Sequence, residues 1–135
     1  MRGYGPQTLL DDELAIAAER GAPRAARRWV MRAIAGVGVG GAVNQVVELL
    51  TGELVSNAVV HGPAGGTVRV RVLVQGAVVW VGVSDEGGGR PVAGRPEPTA
   101  PSGRGLALVD ALAGSWGTQR HATGKTVWFE VDAEA

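Results

Sequence analysis

Glu53, Asn57 and His61 recur at every fourth position of the stretch ELVSNAVVHG, residues 53–62. On a helix, at about 100° per residue, that spacing stacks a carboxylate, an amide and an imidazole one turn apart along a single stripe. Leu54, Val55, Ala58 and Val59 fall on the other side and suit a core. A wet face on an ordinary amphipathic helix would account for the acid and the imidazole. It accounts poorly for Asn57, because asparagine is a weak helix former that competes with its own backbone. An amide in mid-helix points to a task, either metal ligation or a buried hydrogen bond.

These side chains need elements to hold them. The segment from Pro23 predicts a helix with Trp29, Val30, Ala33 and Ile34 on its apolar side, ended by Gly36 and Gly38. Arg24, Arg27, Arg28 and Arg32 then form its solvated face. A second helix runs from Gly41 or Ala42 to His61, with Gly62-Pro63 closing it. TVRVRVLV (67–74), in which Arg69 and Arg71 alternate with Val68, Val70 and Val72, and VVWVGVSD (78–85) are joined by Gln75-Gly76-Ala77, the pattern of a hairpin. Residues 86–103 are too rich in Gly and Pro for a regular element and read as a long loop. A short helix over 106–112 follows, then strands at 115–120 and 126–131. Residues 1–10 read as a loose arm, with a short strand at 14–18 and one domain spanning 11–135. The order predicts a two-layer α/β sandwich, a mainly antiparallel sheet covered on one face by helices.

Composition narrows the chemistry. The 135 residues suit one domain with its own core, and 45% are hydrophobic. Thirteen basic and thirteen acidic side chains cancel, which argues against a nucleic-acid or anionic-membrane binder. With no cysteine, disulfides, thiolate metal sites and cysteine nucleophiles are excluded, and two histidines are too few for a histidine-rich metal centre. Neither a membrane span nor a signal peptide is evident, so the expected location is cytoplasmic. There is no GxxxxGK[ST] and no GxGxxG in a βαβ unit, which leaves P-loop and dinucleotide folds unsupported.

Four patterns occur in order: Glu53-x-x-x-Asn57, Asp85-x-Gly87-x-Gly89 after a strand, Gly103-Arg104-Gly105-Leu106 at the predicted start of a helix, and Gly124-Lys125-Thr126. Together they resemble the sequence boxes of the GHKL superfamily of ATPases and kinases, whose nucleotide fold is called Bergerat. The chain is most similar to bacterial anti-sigma-factor serine/threonine kinases and the related single-domain ATP-binding regulators of actinobacteria. AARRWV, ELVSNAVVHG, GRGLALVDALAGSWG and GKTVWFEV carry the likeness, over roughly residues 20–131.

The resemblance implies roles. Asn57 corresponds to the Mg²⁺ ligand, for which a neutral amide oxygen is a suitably hard donor. Glu53 corresponds to the general base that takes a proton from the nucleophile attacking the γ-phosphate of ATP. His61 lies a turn further, within reach of phosphate or simply at the negative end of the helix dipole. Asp85 corresponds to the acid that accepts a hydrogen bond from the exocyclic amine of adenine; guanine would oppose it with an oxygen. Gly87 and Gly89 would let the backbone pass close to the purine. Gly103, Arg104, Gly105 and Leu106 would place helix N–H groups on phosphate oxygens. Thr126 resembles the hydroxyl that reaches adenine beside Asp85. Residues 86–103 stand where the family keeps its ATP lid.

The implied activity is that of an ATP- and Mg²⁺-dependent serine/threonine kinase regulating transcription. Its partners would be a protein of the anti-anti-sigma type and a sigma factor, and it would form a homodimer, as such kinases often do. One departure stands out: Ala100-Pro101-Ser102, just before Gly103, lacks the adjacent basic residue those kinases often have. Two alternatives follow. One is a catalytically weak ATP-binding regulatory module acting through contacts; the other is a detached histidine-kinase ATPase domain.

Overall fold

The computed structural model describes residues 7–86, 100–122 and 124–134. Its elements are β1 (Thr8–Ala17), α1 (Ala22–Ala35), α2 (Gly41–His61), β2 (Thr67–Gln75), β3 (Val78–Glu86), α3 (Ala100–Leu112), β4 (Ser115–His121) and β5 (Gly124–Asp132). The strands form one sheet in the order β1-β2-β3-β5-β4, and every neighbouring pair is antiparallel. The helices share one side with the core, which is the two-layer sandwich that the order of the elements predicts.

Side-chain parity shows where the core lies. Val68, Val70, Val72 and Val74 of β2 are fully buried, as are Val79 and Val81 of β3 and Phe129 of β5. They meet Ala26, Val30 and Ile34 of α1 and Val47, Leu50, Leu54 and Val55 of α2. Each such side chain removed from water contributes about 1.5–3 kcal/mol, which makes this layer the main source of stability. The outer face carries the alternate residues, among them Arg69, Arg71, Trp80 and Trp128.

β1 begins at Thr8, so Thr8 to Leu10, expected in a loose arm, are part of the sheet. Asp11, Asp12 and Glu13 disguise the strand in the sequence, since acids are depleted in strands. Tertiary pairing overrides that preference. Arg71 of β2 donates through Nε to Asp11 Oδ1 at 3.0 Å and through a terminal nitrogen to Oδ2 at 2.9 Å. These hydrogen bonds hold the Asp11 carboxyl below its ordinary range. Both partners are exposed, so the pair chiefly sets register and adds little stability. Leu10, Leu14 and Ile16 pack against the core.

α1 starts as Pro23 predicts and stops at Gly36. Arg24, Arg28 and Arg32 are exposed, as expected, but Arg27 is partly buried. Its stem crosses Gly52 of α2, where an added Cβ would lie 2.8 Å from Arg27 Cδ. Asn44 fixes the corner between the two helices. Its Nδ2 donates to Met31 O at 3.1 Å and Val39 O at 2.9 Å, and the residue is buried. Thr51, fully buried on α2, has no partner for its Oγ1 among the described residues.

α3 is longer than expected. It starts at Ala100, inside the stretch whose composition predicts a loop to residue 103. Pro101 is welcome in a helix's first turn, where its missing N–H would be unpaired anyway. Gly103, Arg104 and Gly105 therefore belong to the helix rather than preceding it. Residues 87–99, including Gly87 and Gly89, lie outside the described residues. Among the described residues, no helix is long and apolar enough to cross a membrane.

Candidate functional site

The C-terminal half of α2 and the inner faces of β3, β5 and β4 bound a cleft, with Leu106 of α3 at its side. Leu54, Ala58, Val83 and Val127 supply its apolar surface, and Asn57, His61, Asp85, Thr118, Arg120 and Lys125 its polar groups. Asn57 and His61 of the helical stripe and the strand-end acid Asp85, far apart in sequence, thus face one space. Apolar walls with a few converging polar groups are the usual anatomy of a small-molecule site.

Asp85 is the most informative of these groups. It is only 8% exposed, yet it has no hydrogen bond or ion pair among the described residues. Two glycines make its position possible. An added Cβ at Gly62, where α2 ends, would lie 3.1 Å from Asp85 Cβ, and one at Gly124 would lie 2.8 Å from Asp85 Oδ1. Helix end and strand start therefore close on the aspartate, leaving its carboxylate open toward the cleft. An acceptor-only group that opens to the cleft and has no donor beside it leaves room for a ligand that brings one.

Asn57 and His61 line the cleft on consecutive turns of α2. Among the described residues the Asn57 amide has no hydrogen-bond partner, in contrast to Asn44. Glu53, one turn earlier, is partly buried and is not among the residues lining the cleft. Among the described residues no group of three or more His, Asp or Glu could hold a metal by itself. A cation here would need oxygens from its ligand and from water, beside the Asn57 amide, which is how Mg²⁺ is commonly bound with phosphates.

Thr126 is not on this side of the sheet. Its Oγ1 lies 2.6 Å from Ser84 Oγ and 3.1 Å from His121 Nε2, on the outer face. The reason is the pleat. Phe129 and Val131 are buried inward, so Val127 and Lys125 point inward too and Thr126 points out. Lys125 is the residue in register with Asp85, and it lines the cleft. Counting back in twos from Phe129 would have found it in the sequence. Arg120 and Thr118 of β4 were also missed; β4 has no apolar alternation to reveal its inner face.

The profile of the histidine kinase-like ATPase domain matches residues 16–131. No curated protein matches the chain significantly. Among solved structures, the RsbU and RsbW domains of Rv1364c from Mycobacterium tuberculosis superpose with a TM-score of 0.70 at 22% identity, covering 91% of this chain and 32% of that one. The histidine kinase domain of the blue-light activated histidine kinase EL346 from Erythrobacter litoralis gives a TM-score of 0.51 at 27% identity, covering 67% of this chain and 45% of that one. The chain therefore spans less than half the length of either structure. The match runs from within β1 to within β5 and includes both walls of the cleft, and on that basis the chain belongs to the histidine kinase-like ATPase domain family.

Proposed function

We propose that the chain binds ATP with Mg²⁺ in this cleft and passes the γ-phosphoryl group to a serine or threonine of a regulatory protein of the anti-anti-sigma type, with a sigma factor as its second partner. The observation that carries the reading is Asp85, a residue 8% exposed whose carboxylate opens to the cleft with no partner among the described residues, where it would accept from the amine of adenine. Membership of the ATPase family supports nucleotide binding. The likeness to a structure containing an RsbW domain is one of fold, and the partner class rests on the sequence resemblance.

In this reading the apolar surface of Leu54, Ala58, Val83 and Val127 sandwiches the purine and keeps water from its edge. Asn57 contributes one amide oxygen to the cation. When bound, Mg²⁺ neutralises charge on the phosphate oxygens. Glu53 takes the proton from the attacking hydroxyl as its oxygen bonds to the γ-phosphorus and ADP leaves. Phosphate contacts from the Gly103–Leu106 segment of α3, with Arg104 as an added cation, belong to the same proposal, as does a close backbone approach to the purine at Gly87 and Gly89. A homodimer is the assembly the resemblance implies.

A second reading has one observation in its favour: Glu53 lies outside the cleft lining. It describes an ATP-binding regulatory module that works by contact without turnover. Labelled MgATP incubated with candidate serine-containing partners separates the two. Asn57→Ala should lose Mg²⁺-dependent affinity by tenfold or more. Glu53→Ala should keep binding while transfer falls by about 10²- to 10⁴-fold, the usual worth of a general base. Unchanged transfer in both variants would discard these roles, and ATP binding without transfer in the unaltered chain would favour the contact-only module.

A further inference from the structure

Lys125 stands directly across the strand pair from Asp85, on the same face, and both line the cleft. Oppositely charged neighbours at such a position commonly pair. Here no ion pair joins them among the described residues, so each retains its capacity for a third group. Arg120 is in register with Lys125 on its other side, and like charges disfavour a swing of the ammonium toward β4. The result is an acceptor-only carboxylate beside a donor-only ammonium, side by side on the wall of the cleft.

One purine edge complements that order. Adenine presents its exocyclic N–H donor next to the N1 acceptor. We propose that Lys125 is a base-reading residue whose ammonium donates to adenine N1 while Asp85 accepts from the exocyclic amine. The proposal rests on ATP being the ligand of the cleft. Lys125 then does directly what the resemblance had reserved for a hydroxyl on Thr126, which the pleat turns to the other face. Guanine in the same pose would fail twice, with its O6 against Asp85 and its N1–H against Lys125. The two residues together select adenine more sharply than the acid would alone.

The assignment is tested by calorimetric titration of the full chain with MgATP, Mg-1-deaza-ATP, in which C–H replaces N1, and MgGTP. A hydrogen bond to a charged group is worth a factor of ten or more, by the relation of about 1.4 kcal/mol per tenfold. The unaltered chain should bind the 1-deaza analogue roughly tenfold more weakly than ATP. Lys125→Met should bind ATP roughly tenfold more weakly and no longer distinguish the two, a pattern a merely structural lysine would not produce. Lys125→Thr serves the same purpose should the Met variant fail to fold. Indifference of the unaltered chain to N1, or a folded Lys125 variant that still discriminates, overturns the assignment, as does GTP binding as tightly as ATP. Asp85→Asn separates this from the underlying reading. If that variant binds ATP unimpaired, or the unaltered chain binds no ATP, the nucleotide reading of the cleft fails; ATP binding without N1 discrimination defeats only the role of Lys125.

Discussion

Ser84 and Thr126 face outward from the sheet; Asp85 and Lys125, their immediate neighbours on the same two strands, face inward. The outer pair is closed on itself. The two hydroxyls lie 2.6 Å apart and His121 adds a further contact to Thr126 at 3.1 Å. On the inner face neither the carboxylate nor the ammonium has an ion-pair partner among the described residues, and both line the cleft. Backbone register is the same on both faces, so the difference lies in the side chains alone. Polar groups that satisfy one another hold strands together. Polar groups left with spare capacity on the wall of a cleft are the ones to read for a ligand.

The comparison breaks most visibly through Gly124. An added Cβ there would meet the Asp85 backbone carbonyl and come within 2.8 Å of Oδ1. Gly124→Ala should therefore displace the carboxylate and weaken ATP by about a hundredfold, the scale of losing a charged hydrogen bond and its alignment. Titration shows this, with circular dichroism to confirm that the fold is retained. The outer pair sharpens the contrast with a smaller effect of another kind. Thr126→Val should leave ATP affinity within about twofold and lower stability by about 1 kcal/mol, read from denaturant unfolding. Should Thr126→Val weaken nucleotide as severely as Gly124→Ala, the two faces would not be functionally distinct.

Much of this is legible in the order of the residues. The valine alternation of β2 and β3 encodes both the hairpin and its buried face, and the apolar periodicity of α2 reaches its observed end at His61. Asn57 stands out because its type is out of place in a core helix, and Asp85 because Gly87 and Gly89 follow it in the pattern of the family it resembles. Other features are hidden for identifiable reasons. β1 is rich in acids, two of which face cross-strand arginines, and α3 begins in Ala-Pro-Ser, which resembles loop composition. Thr126 draws attention through its chemistry although the parity of β5 points to Lys125. Asn44 and Asn57 are also alike in sequence, two amides on one helix. Only the fold shows that Asn44 is consumed by the Met31 and Val39 carbonyls while Asn57 lines the cleft.

Thr51 carries a practical consequence. Its hydroxyl sits in the heart of the molecule without a partner among the described residues, so the native state forgoes there a favourable solvation that the unfolded chain enjoys. Thr51→Val keeps the shape and removes that penalty, and should raise the unfolding free energy by about 1 kcal/mol with nucleotide affinity unaltered, as chemical denaturation and titration together would reveal. A reinforced background of that kind would let damaging cleft variants be assayed while still folded, so that lost binding could not be mistaken for lost structure.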